Sequence, residues 1–377
     1  MKPLGPPDAP IAIICDYPSP ADRSAGFPLS DYSGKLFFDI FSRKGLLKGS
    51  CFITTILDKP VADDDISGHL SKRKTCPGAD WRNVNGQWIS PELGAGLERV
   101  QGELERVKPR LVLPLGELAL WGLTGSSGIS RWRGSRLGLP QWPFTILPLL
   151  NPRILQRDPT ASTLFQIDLA RAKALFEGKQ LPRNYVFYVA PSYEIACEIL
   201  DEQLRRIEQA AFGDIPISLD IETRSGHIAC VGIAWSAENA LCLPLITTHD
   251  ENPFFYSEEE EALLIYKLSL ILLSPNVLTI GQNIIYDCQY LHRHWGFVPA
   301  KVADTMIGHH SIFANMRKGL DFLSAMYAQD HTYWKDEIKD WNPKLGERQF
   351  WEYNCKDACI TWEIWPKIVS QMESCNV

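Results

Sequence analysis

The sequence predicts an α/β protein that is built from two domains. In the first half, short apolar runs typical of strands alternate with segments of helical periodicity, and this alternation favours a parallel sheet. The chain has 377 residues, which is more than a single hydrophobic core usually serves. A polar stretch at residues 177–180 precedes Leu181 and Pro182, so we place the first domain at residues 1–180 and the second at residues 184–377.

The elements of the first half follow from its apolar runs. Strands are predicted at residues 11–15, 51–57, 109–116 and 144–150, and helices at residues 93–107, 117–123 and 165–176. Residues 58–92 are rich in Asp, Gly, Pro and Asn, so we expect a long surface excursion there.

The second half predicts a strand meander that is flanked by helices. Strands are predicted at residues 185–189, 215–222, 229–235, 240–245 and 277–280. Helices are predicted at residues 192–211, 287–295 and 353–365, and a further one begins at the acidic run 258–261.

Composition bounds the function without defining it. A formal net charge of −7 does not by itself indicate nucleic-acid binding. It does not exclude such binding either, because metal-dependent sites add acidic residues of their own. No apolar run is long enough to cross a bilayer and the N-terminus lacks the apolar core of a secretory signal, so we expect a cytoplasmic protein without a membrane partner. The ten cysteines include no close CxxC pair, which favours reduced, buried thiols over a zinc site.

Three acidic motifs in the second half carry the chemistry. Asp220 and Glu222 end a strand, where side chains two residues apart point to the same face. Their carboxylates would repel each other unless a cation lay between them. Asp287 ends the second motif, and Tyr353 and Asp357 bound the third, four residues apart on one side of a helix. Together and in this order, the motifs predict a site that binds divalent metal and cuts phosphodiesters.

The residue types also indicate which metal the site would hold. Phosphodiester hydrolysis is served by two cations about 3.5–4 Å apart that a carboxylate bridges. Oxygen ligands suit Mg²⁺ or Mn²⁺, and no His or Cys set competes for a softer metal. We therefore expect two divalent ions as cofactors.

The three motifs resemble those of the proofreading 3′–5′ exonuclease domain of family A, phage-type DNA polymerases. This domain belongs to the DEDDy branch of the DnaQ-like superfamily. The resemblance implies a ribonuclease H-like fold with a mixed sheet over residues 184–377. It implies that Asp220 bridges both metals, that Glu222 and Asp357 complete the tighter site, and that Asp287 holds the second metal directly or through water. Tyr353 would orient the attacking water, since an ordinary tyrosine is a poor base at neutral pH.

The same resemblance implies a substrate and a biological setting. Gln282, Asn283 and Tyr286 would contact the terminal nucleotides of single-stranded DNA 3′ ends or primer termini. The protein would then proofread or trim ends during DNA replication, as a fragment or subunit of a phage-type polymerase in the host cytoplasm. An RNase D-like ribonuclease and a non-catalytic DNA-binding accessory module remain alternatives.

The first half resembles the uracil-DNA glycosylase superfamily, nearest to its family 4-like members. The resemblance rests on four stretches, at residues 109–120, 133–134, 149–152 and 168–170. It implies a parallel-sheet α/β domain in which Asp16 positions water and Phe27 stacks on the flipped base.

This resemblance is broken at the positions that would carry activity. The sequence has Asn151-Pro152-Arg153 where His-Pro-Ser is expected, and Thr55 stands where a base-reading Asn is expected. The four cysteines of an iron–sulfur cluster are not reproduced, so no such cluster is expected. We therefore interpret the domain as degenerate, with an active uracil-DNA glycosylase as the alternative.

Basic residues suggest that a degenerate domain could still bind DNA. Arginines and tryptophans are interleaved around residues 131–157, and such a mixture suits phosphate contact and base stacking. The candidate DNA contacts are Arg131, Arg133, Arg136 and Arg153.

Two polar positions near the second motif have structural interpretations. Asp304 precedes an apolar helical run and is expected to be a helix N-cap rather than a metal ligand. His309 and His310 are adjacent, so they cannot both face one metal from a regular helix, and packing or surface roles are expected.

Overall fold

The computed structural model describes residues 1–72, 80–84, 86–179, 182–210, 214–248, 253–336 and 346–377. It divides into two compact units. The first unit contains Met1–Leu181 and the short stretch Gln329–Tyr333, which we call the returning segment. The second unit contains Pro182–Ala328 and Trp334–Val377. None of the helices in the described ranges has the length and apolar character needed to cross a membrane.

The first unit is organised by a five-stranded sheet in the order β2-β1-β6-β8-β7. Its strands are β1 (Ile11–Cys15), β2 (Cys51–Thr55), β6 (Leu111–Leu115), β7 (Leu137–Gly138) and β8 (Thr145–Ile146). All neighbours are parallel except β7 and β8, which pair antiparallel. The strands β1, β2 and β6 are buried along their whole length, as expected for a sheet covered on both faces.

Helices complete the first unit, together with a second, smaller sheet. The helices are α1 (Pro20–Ala25), α2 (Tyr32–Arg43), α3 (Pro91–Val107), α4 (Glu117–Thr124), α5 (Ile129–Trp132) and α6 (Ala161–Phe176). The small antiparallel sheet has the order β3-β5-β4, with β3 (Leu70–Ser71), β4 (Arg82–Val84) and β5 (Gln87–Ile89). Single 3₁₀ turns lie at Lys48–Ser50, Ala62–Asp64, Ile66–Gly68 and Pro152–Gln156.

The predicted α/β class is confirmed for this unit, with two differences in detail. The sheet is not purely parallel, because the short edge strand β7 runs antiparallel to β8. The expected excursion at residues 58–92 contains the three-stranded sheet, whose strands are too short to show a clear alternation in the sequence.

The second unit is built on a six-stranded mixed sheet in the order β14-β13-β10-β11-β12-β9. Its strands are β9 (Val186–Val189), β10 (Ile215–Arg224), β11 (His227–Ala234), β12 (Asn239–Pro244), β13 (Val277–Gly281) and β14 (Val302–Asp304). The chain β10-β11-β12 forms the predicted antiparallel meander, and β13 pairs parallel with β10. The predicted mixed sheet is therefore confirmed.

Helices cover both faces of this sheet. They are α7 (Tyr193–Gln209), α8 (Glu258–Leu272), α9 (Ile285–Trp295), α10 (Thr305–Ile312), α11 (Leu320–Tyr327) and α12 (Arg348–Cys375). Apolar residues of α7 and α8 share a core with Ile217, Leu219 and Ile221 of β10. Residues of α12 pack instead on small side chains of β11 and β12, such as Ala229 and Cys242.

The alternation along β10 decides what faces α12. Because Ile217, Leu219 and Ile221 point toward α7 and α8, Asp220 and Glu222 point to the opposite face. Asp220 and Glu222 of the first acidic motif therefore face α12, the helix that carries the third motif.

Candidate active site

Three carboxylates converge between β10 and α12. Asp220, Glu222 and Asp357 each place an oxygen within 4.8 Å of the others. Asp357 is 4% exposed, and the two acids of β10 are partly buried. The ladder between β10 and β11 shifts register after Glu222, so the strand bends at the acidic pair. The sequence predicted that these three acids would meet, and the structure places them together.

Asn354 ties α12 to the strand of the first motif. Its Nδ2 atom donates to the backbone oxygen of Asp220 at 2.9 Å and to the Oδ2 atom of Asp220 at 2.7 Å. The side chain has no exposed surface. It sits over Gly232 of β11, where an added Cβ atom would lie 2.3 Å from Asn354 Oδ1. The glycine therefore leaves the space that lets the amide reach Asp220.

Asp287 lies at the edge of this cluster. It occupies the first turn of α9, and its Oδ1 atom accepts the backbone N–H of Ile221 at 2.9 Å. It is 5% exposed and is not one of the three acids whose oxygens lie within 4.8 Å. Asp287 thus anchors α9 to β10 through Oδ1, and its Oδ2 atom could bind a metal ion beside the main cluster.

The carboxyl groups of the cluster are held in a way that disfavours their charge. Burial, and then the neighbouring Glu222 and Asp357, raise the pKa of Asp220 well above its usual range. Burial and Asp357 raise the pKa of Glu222 to about 7. Burial raises the pKa of Asp287 to about 7 as well. A cation between the carboxylates would reverse these shifts, because positive charge favours the ionised form.

Two residues outside the three motifs complete the site. Trp334 donates from Nε1 to Asp357 Oδ1 at 2.7 Å. Lys335 donates from Nζ to Asp357 Oδ2 at 2.5 Å and to the Tyr353 hydroxyl at 2.5 Å. Burial alone would lower the pKa of Lys335, but Asp357 and Tyr353 more than offset this and raise it. Sequence reasoning missed both residues, since they belong to no strand or helix and no motif spacing points to them.

Tyr353 shares one side of α12 with Asp357, as the spacing of four residues predicted. Burial, followed by the charge of Asp357, raises the pKa of Tyr353 above its ordinary value. The phenol therefore stands in the site as a hydrogen-bonding group.

The three residues predicted to contact substrate have different surroundings. The amide of Gln282 donates to the Lys318 carbonyl at 2.7 Å and accepts from the Thr305 hydroxyl at 2.6 Å, so it joins two parts of the chain. Asn283 has a φ of 58°, a left-handed conformation that asparagine tolerates. Tyr286 is 40% exposed, and its hydroxyl lies 2.8 Å from that of Thr223. Their contact with nucleotides stays a prediction.

Asp304 is the N-cap that the sequence predicted. Its carboxylate accepts the N–H groups of Met306 at 2.8 Å and Ile307 at 3.3 Å in α10. It also accepts those of Asn283 at 3.1 Å and Ile284 at 3.0 Å, just before α9. One carboxylate thus fixes the loop of the second motif.

The residues present fit a divalent metal. The donor set consists of carboxylate oxygens, which hard cations such as Mg²⁺ and Mn²⁺ prefer. Burial, together with the neighbouring carboxylates, raises the pKa of Asp220 and of Glu222, and a bound cation would favour their ionised forms.

The first unit has a cleft of about 410 Å³ that contains Asp16. Asp16 is 4% exposed, and its carboxylate accepts the N–H groups of Glu117 at 3.1 Å and Ala119 at 2.9 Å. These bonds cap α4, and Gly116 is required there because an added Cβ atom would lie 1.9 Å from Asp16 Oδ2. Burial raises the pKa of Asp16 to about 7.

An ion pair lies in the lining of this cleft. Arg153 donates to Asp64 Oδ1 at 2.5 Å, and Arg157 donates to Asp64 Oδ2 at 2.8 Å. The Arg153 guanidinium also lies 4.5 Å from the centre of the Tyr17 ring, whose hydroxyl donates to Asp64 at 2.9 Å. Arg153, which stands where the glycosylase resemblance expects a serine, therefore contacts both Asp64 and Tyr17 in the lining of the cleft.

The remaining positions of the first unit fall in several places. Asn151 Nδ2 approaches Asp16 Oδ2 at 3.5 Å, and Thr55 is buried at the end of β2. Phe27 is 36% exposed and does not line the cleft, in which the aromatic residue among those described is Tyr17. The expectation that Phe27 is the stacking ring is therefore not supported by its position.

The prediction that Arg133 contacts DNA is wrong. Its side chain is 1% exposed and makes two hydrogen bonds with Asp168, at 2.9 and 2.8 Å. The sequence could not show this, because Asp168 lies 35 residues away on α6. Arg136 pairs with Asp330 at 3.0 and 3.2 Å, and the Arg131 guanidinium lies 5.5 Å from the centre of the Tyr333 ring. DNA contact by Arg131, Arg136 and Arg153 stays a prediction.

Comparison with family models finds a different match for each half of the sequence. The family model described as 3′–5′ exonuclease matches residues 195–373, and the model of the uracil DNA glycosylase superfamily matches residues 2–173. The second half is therefore similar to 3′–5′ exonuclease domains and the first half to the uracil DNA glycosylase superfamily, which confirms both predicted resemblances. A domain of this exonuclease class uses divalent metal and acts on nucleic acid.

Individual proteins similar to this chain cover parts of it. A DNA polymerase of Bacillus phage SP01 is 26% identical over 134 residues, which are 34% of this chain and 14% of the polymerase. The catalytic core of RRP6 from Trypanosoma brucei is 13% identical, with a TM-score of 0.38, over 52% of this chain and 48% of that one. RNase D of Escherichia coli is 15% identical, with a TM-score of 0.37, over 51% of this chain and 46% of that one. The chain thus spans about half the length of these two structures and a small part of the polymerase.

Proposed function

We propose that this chain is a two-metal 3′–5′ DNA exonuclease that proofreads or trims DNA ends in replication. The observation that carries the proposal is the convergence of Asp220, Glu222 and Asp357 within 4.8 Å, with Tyr353 on the same side of α12 as Asp357. Asp287 lies beside the cluster on α9. These are the residues that the three sequence motifs supply, in the order that the exonuclease class requires.

In this proposal the acids divide the work of holding two Mg²⁺ or Mn²⁺ ions. Asp220 would contact both ions, Glu222 and Asp357 would complete one site, and Asp287 would hold the other ion directly or through water. Bound divalent ions supply a nucleophilic water at neutral pH and neutralise charge on the phosphate. Tyr353 would orient the attacking water through its hydroxyl.

The substrate is proposed to be the 3′ end of single-stranded DNA or a primer terminus. Two findings support DNA over RNA: the relative is a phage DNA polymerase, and the first half matches a superfamily named for DNA. Tyr286 presents an exposed ring close to Thr223 of β10, where a terminal base could stack. The polymerase relative also suggests work as part of, or together with, a phage-type polymerase in the host cytoplasm.

A labelled-strand assay tests the nuclease proposal. With Mg²⁺, a 5′-labelled single strand should shorten stepwise, and a 3′-labelled strand should release its label as a mononucleotide in the first step. EDTA should stop both reactions. Asp220→Ala/Glu222→Ala should lower the rate by more than the roughly 10- to 100-fold seen when a residue behind a metal ligand is lost.

A matched variant and a second substrate sharpen this assay. Asp201→Ala/Glu202→Ala removes two acids from α7 and should keep full activity. An RNA strand of the same sequence should be degraded more slowly, and a mismatched primer terminus should be trimmed faster than a matched one. Equal activity in the Asp220→Ala/Glu222→Ala variant contradicts the nuclease proposal, whereas faster RNA degradation supports an RNase D-like enzyme instead.

We further propose that the glycosylase-like unit does not excise uracil. The Arg153–Asp64 pair in the lining of the cleft and the capping role of Asp16 support this, because they occupy groups that excision would need. A uracil-containing strand should therefore yield no abasic sites when incubated with the Asp220→Ala/Glu222→Ala variant, whose nuclease background is low. Abasic sites that form with that variant contradict this proposal.

A further inference from the structure

A lysine ammonium lies among the carboxylates of the candidate metal site. Lys335 Nζ is 2.5 Å from Asp357 Oδ2 and 2.5 Å from the Tyr353 hydroxyl. Its side chain is 26% exposed, whereas that of Asp357 is 5% exposed. Lys335 belongs to none of the three acidic motifs.

Both oxygens of Asp357 accept hydrogen bonds from consecutive residues. Trp334 Nε1 donates to Oδ1, and Lys335 Nζ donates to Oδ2. The same carboxylate must give at least one oxygen to a divalent ion if it is a metal ligand. When the ion binds, either Trp334 or Lys335 therefore has to share its Asp357 oxygen with the ion or release that oxygen.

The two donors differ in how easily they can move. The Trp334 side chain is 1% exposed and rigid, so its indole cannot leave Asp357 without repacking. Lys335 has a flexible four-carbon stem, and it keeps a second partner in Tyr353 when it leaves Asp357. The ammonium group is the donor that can exchange.

We propose that Lys335 is an internal cation that competes with the divalent ion for Asp357. In the metal-free protein its ammonium group balances part of the charge of Asp220, Glu222 and Asp357. Metal binding releases it from Asp357 while Tyr353 retains it. Lys335 is thus a positioning residue that sets the affinity for metal, and this inference rests on the proposed two-metal function.

The proposal makes a directional statement about metal affinity. Removing the ammonium group frees Asp357 Oδ2 and removes a positive charge from the cluster, so Mg²⁺ should bind more tightly. Loss of packing or folding in a variant would weaken binding, so a tighter complex cannot result from structural damage. A lysine that instead helps to hold Asp357 for the ion would give weaker binding when removed.

Calorimetric titration of the full chain with Mg²⁺, without nucleic acid, tests the proposal. Lys335→Met should bind Mg²⁺ about tenfold more tightly than the unmodified protein, which corresponds to about 1.4 kcal/mol. Lys335→Arg keeps the positive charge and should bind within about threefold of the unmodified protein. The melting temperature without metal should fall in Lys335→Met, and added Mg²⁺ should raise it by more than it raises that of the unmodified protein.

The control separates this exchange from a general effect of charge. Lys367→Met removes the same charge from α12, ten residues beyond Asp357, where the lysine pairs with Glu363. Its Mg²⁺ affinity should match that of the unmodified protein. Equal or weaker binding by Lys335→Met, or equal tightening in Lys367→Met, overturns the competition while leaving the nuclease proposal intact.

A different result marks failure of the underlying function. If the unmodified protein shows no Mg²⁺ binding that Asp220→Ala/Glu222→Ala abolishes, then the two-metal proposal fails, and the competition fails with it.

Discussion

At the residue scale, Asn354 joins the helix of the third motif to the strand of the first. It donates from one amide nitrogen to the backbone and to the carboxylate of Asp220, and it has no exposed surface. Asn354→Ala should lower the nuclease rate roughly 10- to 100-fold, because a partner that orients a metal ligand is lost. It should also reduce the free energy of unfolding by about 1–3 kcal/mol, since buried groups on Asp220 lose their donor. Rate measurements and chemical denaturation check the two effects.

The control for Asn354 is an asparagine that lies outside the site. Asn376 ends α12 in an exposed position, and Asn376→Ala should leave the rate unchanged. A normal rate in Asn354→Ala would show that Asp220 needs no support from α12.

His309 gives a prediction about pH. It is fully buried, and burial, assisted by the nearby positive charges of His310 and Lys318, lowers its pKa to about 4. An unfolded histidine titrates near 6.5, so between these values the unfolded chain binds more protons than the folded one. Stability from the neutral imidazole is therefore complete above pH about 6.5 and is lost as the pH falls toward 4.

Replacing this histidine should flatten the pH dependence. The free energy of unfolding of the unmodified protein should include a slope of up to about 1.4 kcal/mol per pH unit from this group between pH 4 and 6.5. His309→Phe should lack that part of the slope, even if loss of the hydrogen bond to the Tyr327 hydroxyl lowers stability at pH 7. The exposed His292 on α9 offers the control, since His292→Asn should keep the slope; denaturant titrations at several pH values measure it.

Single residues also show where the sequence was sufficient. Local periodicity predicted that Asp220 and Glu222 share one face of β10 and that Tyr353 and Asp357 share one side of α12. That these two pairs would meet was implied by the resemblance to the exonuclease domain. Lys335 and Arg133 could not be placed in this way. Their partners lie 22 and 35 residues away, and only the folded chain brings them together.

At the element scale, one cap connects two helices of the exonuclease unit. Asp304 accepts N–H groups from the first turn of α10 and from the loop that precedes α9. Asp304→Ala should lower the free energy of unfolding by about 2 kcal/mol, the upper range for loss of an N-cap, because it also releases the loop. It should lower the nuclease rate as well, since Asp287 follows that loop on α9.

A conservative variant separates the cap from the charge. Asp304→Asn keeps one acceptor oxygen and should recover about half of the lost stability in thermal or chemical unfolding. An Asp304→Ala protein that is as stable as the unmodified one would show that α10 does not depend on this cap.

The elements themselves were predicted unevenly. Long periodic segments such as α3, α7 and the meander β10-β11-β12 agreed with the sequence, because burial enforces their pattern over many residues. The strands β3, β4 and β5 were missed, because two or three residues are too few to show alternation.

At the scale of the whole molecule, the returning segment is tightly held within the first unit. The backbone N–H of Arg136 donates to the His331 carbonyl, and the hydroxyl of Thr332 donates to the Arg136 carbonyl. The centre of the Tyr333 ring lies 5.1 Å from that of Trp132. The Arg136 side chain also makes its double contact with Asp330.

Removing that side chain should loosen the segment. Arg136→Ala should speed hydrogen–deuterium exchange at residues 329–333 by several-fold and lower the unfolding free energy by about 1 kcal/mol, the usual upper value for a partly exposed pair. Arg106→Ala, at an exposed end of α3, should change neither quantity. Unchanged exchange at residues 329–333 in Arg136→Ala would mean that the backbone contacts alone hold the segment.

The returning segment also limits how this protein can be recombined. Two family models divide the sequence cleanly into residues 2–173 and 195–373, as if the halves were interchangeable parts. Five residues encoded in the second half nevertheless belong to the first folded unit, and the two residues that follow them hold Asp357. A hybrid protein that exchanged either half would therefore have to supply a matching version of those five residues to complete the first folded unit.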